Sequence, residues 1–233
     1  IDPAVFEIVQ REMERRTRKD GRYSGVSIFS GKIKCGECGG YFGAKVWHST
    51  DKYRRIIYRC NNKYDGQKCH TPHVTEEEIK TAFVTALNRL VTERDEIIAN
   101  ARLVQQTLCD TTALTEEKAK LQQELAVLVE MTEKCVRENA RIAQNQEQYQ
   151  RNYEGLVARY DAAKVRLDEV TEVISAKETQ SERLAGFIKT LKTQTNPVAQ
   201  FDSQLWASMV DYVTVGADKG VTLVFRDGTE VNV

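Results

Sequence analysis

Cysteines at positions 35, 38, 60 and 69 are the residues of this chain best suited to chemistry. Cys35-Gly36-Glu37-Cys38 sets two thiols on either side of one tight turn, and the Gly39-Gly40 pair that follows frees the backbone to make it. Two thiolates on one side of an ion, completed by two more opposite, form the tetrahedral sulfur site that zinc prefers. Cys60 and Cys69 supply the second pair across eight residues that include Asp65-Gly66, a longer loop than the usual two-residue knuckle. We therefore expect a structural Zn²⁺ held by Cys35, Cys38, Cys60 and Cys69. Disulfides, His70 or His73 in place of one cysteine, or no metal at all are the competing readings. Four protein ligands leave no open position for water, so such a site is structural and not catalytic. Cys109 and Cys135 lie alone in helical sequence and read as small buried apolar residues. Unpaired thiols in this pattern suit a reducing cytosol.

Between the ligand pairs, basic and aromatic side chains alternate through Lys45, Trp47, His48, Lys52, Tyr53, Arg54, Arg55, Tyr58 and Arg59. The zero net charge of the whole chain hides this polarity. Residues 1–72 hold 15 Lys and Arg against 8 Asp and Glu, whereas residues 73–233 hold 19 against 26. A basic head of this kind suits a polyanion, with Lys and Arg on phosphates and Arg or His against base edges. Candidate DNA contacts are Arg18, Lys19, Arg22, Lys32, Lys34, Lys45, His48, Arg54 and Arg55. Trp47, Tyr53 and Tyr58 are assigned to the small core that the segment must build.

The elements that position these residues follow from local pattern. Asp2-Pro3 and the spacing of Val5, Phe6, Ile8, Val9 and Met13 predict a helix over 2–19, followed by a glycine-containing linker over 20–32. Residues 33–72 hold two runs of β-forming residues, Tyr41–Trp47 and Tyr53–Cys60, and too few large apolar side chains to stabilise themselves without a metal. We take the domain that they open to run from 33 to 90.

From His73 to Asn196 there is no proline. Leu121, Leu125, Leu128, Cys135 and Ile142, then Leu156, Tyr160, Leu167, Val170 and Ile174, fall on a 4-3 alternation with polar lapses at Thr132, Asn139, Lys177 and Ser181. That is a coiled-coil seam on two segments, which predicts an antiparallel hairpin over 91–195 with its tip near 140–145 and a length of about 70 Å at 1.5 Å per residue. Asn145 can cap the returning helix, and Asp110–Thr115 is the weak point of the ascending one. Over 196–233, Asp202 caps a short helix and three short strands follow, the last two joined at Asp227-Gly228, packing back beside the cysteine module. The expected fold class is α+β.

Taken in order, Phe29-Ser30-Gly31-Lys32-Ile33-Lys34-Cys35-Gly36-Glu37-Cys38-Gly39-Gly40, Tyr58-Arg59-Cys60, Cys69 leading into a helix, and the closing Phe201-Asp202 to Phe225-Arg226-Asp227-Gly228 resemble the C-terminal half of large serine recombinases. The resemblance implies that residues 2–19 end a recombinase domain and that a zinc ribbon follows on Cys35, Cys38, Cys60 and Cys69. It also implies an arm that contacts other subunits during synapsis. Double-stranded attachment-site DNA, further recombinase subunits and a directionality factor are the implied partners. Cytoplasm of a bacterial host is the implied location, and a prophage or transposon the implied source.

Nothing in the chain matches the family's catalytic serine motif or its arginines, so it is not expected to cut DNA alone. The chain also opens on Ile1-Asp2-Pro3 and reads as a soluble piece of something longer. The alternative of a different class is a zinc-anchored coiled-coil adaptor that binds protein only.

Overall fold

The computed structural model describes residues 27–63, 69–142 and 145–233. The helix expected over 2–19, most of the linker, and Arg18, Lys19 and Arg22 lie outside the described residues. In chain order the elements are β1 (Ile33–Cys35), β2 (Phe42–Trp47), β3 (Arg55–Cys60), a short 3-10 turn (Asn61–Lys63), β4 (Val74–Thr75), α1 (Glu76–Thr92), α2 (Arg94–Leu108), α3 (Thr112–Arg141), α4 (Gln146–Thr193), α5 (Ser203–Met209), β5 (Val210–Val215), β6 (Val221–Phe225) and β7 (Glu230–Asn232). The class is α+β, as expected. The described residues divide into two compact units, those up to 98 with 186–233, and those within 99–185.

In the first unit, β2, β3 and β4 form an antiparallel sheet, and β1, β5, β6 and β7 form a second one in that order. β1 lies parallel to β5, pairing Ile33 with Val213 and Cys35 with Val215. Parallel neighbours cannot be joined by a tight turn, and here the whole of the intervening chain separates them. The turn carrying the first cysteine pair is fixed on this sheet: Gly36 donates its N–H to the Val215 carbonyl at 2.9 Å.

The apolar side chains missing from residues 33–72 come from elsewhere in the unit. Phe29 packs edge-on to Trp206 at 4.8 Å and to Tyr58 at 5.9 Å. Phe83 of α1 meets Trp206 at 5.4 Å and Phe201 at 5.6 Å. Edge-to-face pairs of this kind contribute about 0.5–1.5 kcal/mol each beyond their burial. The buried polar ends are satisfied, with the Trp206 indole donating to the Ile28 carbonyl at 3.3 Å and the Tyr58 hydroxyl 2.6 Å from Ser27 Oγ. Tyr58 is therefore core, whereas Tyr53 is exposed.

Caps set the helix entries. Thr75 and Glu78 form a reciprocal capping box on α1, and Asp202 Oδ1 accepts from the N–H groups of Gln204 and Leu205 at the start of α5.

In the second unit, α3 and α4 run antiparallel. Arg159 pairs with Glu124 at 3.0 Å and Arg166 with Glu117 at 2.7 Å, so seven residues forward on α4 are seven back on α3. Leu128, Val170 and Ile174 are buried, while Leu121, Leu125, Cys135, Leu156, Tyr160 and Leu167 are half-buried. Ile142 is corrected: it stands just beyond α3, is 63% exposed and packs on no seam, because the helix ends at Arg141. On the far side of the turn, Asn145 Oδ1 accepts from the N–H groups of Glu147 and Gln148 and starts α4.

Candidate metal centre and basic hairpin

Three segments bring the four cysteines together: the turn after β1 carries Cys35 and Cys38, the end of β3 carries Cys60, and the approach to β4 carries Cys69. Gly39 closes the first turn with φ +69°, a backbone shape that other residues reach at a cost, and donates its N–H to the Cys35 carbonyl at 2.9 Å.

All four Sγ atoms lie within 4.8 Å of one another. Cys35 and Cys69 are 3.3 Å apart and Cys38 and Cys60 3.4 Å. Four sulfurs at 2.3 Å from one zinc ion stand about 3.8 Å from each other, so the cage has the right size. It also has the right chemistry, because four adjacent thiols cannot all ionise without a cation among them. Burial pushes the Cys60 and Cys69 thiols up. Burial pushes Cys35 the same way, but hydrogen bonds from Thr71 and neighbouring groups outweigh it and bring the thiol down to about 6. Cys35, Cys38, Cys60 and Cys69 thus make a structural zinc site. Neither His70 nor His73 joins the cluster. The His73 ring instead lies 4.7 Å from Trp47.

A second ring of groups orients the ligands, and sequence reasoning missed it. Glu37, between the first two cysteines, reaches across the site, and its Oε2 accepts from the His70 N–H at 3.1 Å, the Thr71 N–H at 3.0 Å and the Thr71 hydroxyl at 2.9 Å. This carboxylate ties the Cys69 segment to the first turn, which explains how a long Cys60–Cys69 loop still closes the cage. Thr71 is fully buried, with Oγ1 2.9 Å from Cys35 Sγ and 3.2 Å from Cys69 Sγ. Asn62 Nδ2 points at Cys38 Sγ from 3.5 Å. No spacing rule flags Thr71; Glu37 is flagged only by its place inside the first cysteine pair.

The β2–β3 hairpin projects from this site. Its register pairs Gly43 with Arg59, Lys45 with Ile57 and Trp47 with Arg55. Side chains alternate along a strand, so Lys45, Trp47, Arg55 and Arg59 share one face with Ile57, which is buried. The other face buries Phe42, Tyr58 and Cys60 in the core and leaves Ala44, Val46 and Ile56 exposed toward the tip. Trp47 is held between Arg55, whose guanidinium lies 5.3 Å from its ring, and His73. His48 and Arg54 stand at the exposed tip, where His48 Nδ1 is 3.0 Å from Asp51 Oδ2.

Lys32 is corrected: it is 5% exposed and its ammonium donates to the Val210 carbonyl at 2.8 Å, so it holds the start of β5 and has no face for a phosphate. The Lys34 ammonium sits 3.3 Å over the Tyr212 ring. Of the nine candidate contacts, the structure brings Lys45, His48, Arg54 and Arg55 onto one hairpin and adds Arg59 to them.

On the second unit, an apolar groove of about 520 Å³ opens between α3 and α4, lined by Val129, Val136, Arg137, Tyr153, Val157 and Tyr160 among others. Among the described residues no helix is long and apolar enough to cross a membrane.

The fold and the four-cysteine cage define a zinc ribbon. Residues 28–88 match the family described as the recombinase zinc beta ribbon domain. The match supports the reading of the cysteine segment as a recombinase-type zinc ribbon. No curated protein matches the chain. Among solved structures it is similar to a chain in the crystal structure of a LSR-DNA complex, at 12% identity and a TM-score of 0.35, over 96% of this chain and 65% of that one.

Proposed function

We propose that this chain is the DNA-binding and synapsis-regulating C-terminal part of a large serine recombinase. In this reading the zinc ribbon sits on one half of an attachment site, and the arm contacts other recombinase subunits during integration and excision. The observation that carries the reading is the recombinase zinc ribbon over residues 28–88 with Lys45, Arg55 and Arg59 on one face of its projecting hairpin. A two-stranded ribbon fits the major groove of a duplex, cations on one face meet phosphates, and a tip bearing His48 and Arg54 reaches base edges. The zinc site contributes by shape: four thiolates and one Zn²⁺ leave about −2 of charge, so attraction to DNA comes from the hairpin. Strand cleavage belongs to a serine domain beyond these residues, and the place of action is the bacterial cytoplasm.

The groove between α3 and α4 suits the arm of a second subunit, whose own seam offers apolar side chains of the same kind. A directionality factor competing for that surface would change which sites pair.

The test is binding of the zinc-loaded chain to duplex attachment-site DNA of the parent mobile element, followed by fluorescence anisotropy across a salt series. Each phosphate contact contributes about 0.9 to the slope of log affinity against log salt, so Lys45→Ala and Arg55→Ala each flatten it by about that amount. Absence of salt-sensitive binding at low ionic strength would sink this reading and leave the protein-only adaptor.

A further inference from the structure

Within 99–141 the ascending side of the arm is broken between α2 and α3 at Cys109–Thr111, while α4 runs opposite it without interruption. The break coincides with a change in what fills the seam. On α4 the seam is apolar through Val170 and Ile174, turns polar at Lys177 and Ser181, and is apolar again at Leu184.

Both polar residues are answered from α2 and the break. The Lys177 ammonium donates to the Leu108 carbonyl at 2.5 Å and to the Asp110 carbonyl at 3.2 Å. The Gln105 amide donates to the Ser181 carbonyl and hydroxyl, both at 3.0 Å. Asp110 turns its side chain the other way: Oδ1 accepts from the Thr112 N–H at 2.9 Å and the Thr112 hydroxyl at 2.6 Å, which starts α3. Leu108, next to the break, is 66% exposed and adds nothing to the seam.

The last carbonyls of a helix have no partner within it, and a cation there is favourable. Lys177 thus does at the end of α2 what apolar packing does elsewhere along the arm. Contiguous segments bounded by such breaks open as separate cooperative units.

We propose that Cys109–Thr111 is a joint at which α3 can leave α4 while α2 stays docked, and that Lys177 is the latch that holds the joint closed. Opening uncovers the apolar stripe of α4 from Leu156 to Ile174 and the matching stripe of α3. Breaking the latch itself costs no large apolar contact, whereas parting α3 from α4 beyond it uncovers Leu128, Val170 and Ile174.

Hydrogen exchange of the full chain, read by mass spectrometry, tests this through Lys177→Leu. If Lys177 is only a polar lapse that the seam tolerates, leucine improves the packing and exchange over 108–141 slows or stays the same; either result overturns the proposal. If Lys177 is the latch, leucine leaves the Leu108 and Asp110 carbonyls without their cation. Exchange over 108–141 then quickens by about threefold to tenfold, and that over 99–105 does not change. Equal acceleration over 99–105 would mean that the arm opens as one piece and would also overturn it. Lys177→Arg keeps a cation of similar reach, and its exchange should stay within twofold of the parent chain; acceleration equal to that of Lys177→Leu would show that the cation is not what matters.

Discussion

Thr71→Val tests whether the second ring of the zinc site governs metal affinity. Valine keeps the shape of threonine but replaces the hydroxyl by a methyl group, at a side chain that is fully buried. That hydroxyl is 2.9 Å from Cys35 Sγ, 3.2 Å from Cys69 Sγ and 2.9 Å from Glu37 Oε2. It has one proton and three acceptors around it, so the variant loses one hydrogen bond to a charged group, about 1.5–3 kcal/mol. Outer-ring partners of metal ligands typically carry about 10- to 100-fold in affinity, which at about 1.4 kcal/mol per decade is the same range reached from the other side. Competition with a chromogenic chelator at fixed pH should therefore show zinc dissociation constants raised about 10- to 100-fold. Thr71→Ser retains the hydroxyl and should stay within a few-fold of the parent. A zinc constant for Thr71→Val within twofold of the parent would refute the reasoning. So would equal losses in the valine and serine variants, since serine keeps the hydroxyl and its absence could not then account for both.

Three further outcomes follow from the same geometry. Cys60→Ser should bind less than one zinc per chain and become protease-sensitive over 24–72, since a sulfur that closes the cage is gone. Glu37→Ala should weaken zinc binding and speed exchange of the His70 and Thr71 amides by hydrogen–deuterium measurement, while Glu76→Ala should not, because only the first carboxylate spans the two halves of the site. Burial pushes the Glu78 carboxyl up, but Lys219 and Thr75 outweigh it and hold it below its ordinary value. Its contribution is then present above the unfolded carboxyl pKa and lost as pH falls through the lower folded one. Denaturant melts should find Glu78→Gln less stable than the parent by about 0.5–1 kcal/mol at pH 7, a figure already reduced for exposure, with the difference shrinking as pH falls through the lowered folded pKa.

Local signals in the sequence carried well into the structure wherever one short segment decides the outcome. Cys35-x2-Cys38 with its glycines, Asp202 as a cap, Asn145 as another and Asp227-Gly228 as a turn are each settled by two to four residues. What stayed hidden depends on residues far apart in the chain. Phe29, Phe83, Phe201 and Trp206 supply the core that residues 33–72 lack, and the parallel pairing of β1 with β5 helps bring the two ends of the unit together. Lys32 looked like a phosphate contact because it is basic and lies near the cysteines. Its partner is the Val210 carbonyl, 178 residues away, which no window of sequence contains. Ile142 satisfied the heptad alternation, but periodicity carries no information about where a helix stops.

The four polar lapses in the seam show how the same residue class serves two ends. Lys177 and Ser181 bond across to the opposite side of the arm, so polarity there ties the two sides together. Thr132, nearer the tip, turns its hydroxyl back to the Leu128 carbonyl of its own helix at 2.7 Å. A hydroxyl satisfied within its own helix adds no tie between helices. Around it Val129, Val136 and Val157 stand apart enough to leave the groove. A heptad count scores all four positions alike, as defects. In the folded arm, Lys177 and Ser181 are ties beside the joint, Asn139 Oδ1 accepts from the Gln146 amide of α4 at 3.3 Å, and Thr132 borders an opening, so the seam around Thr132 is the part whose apolar side chains remain available to another chain.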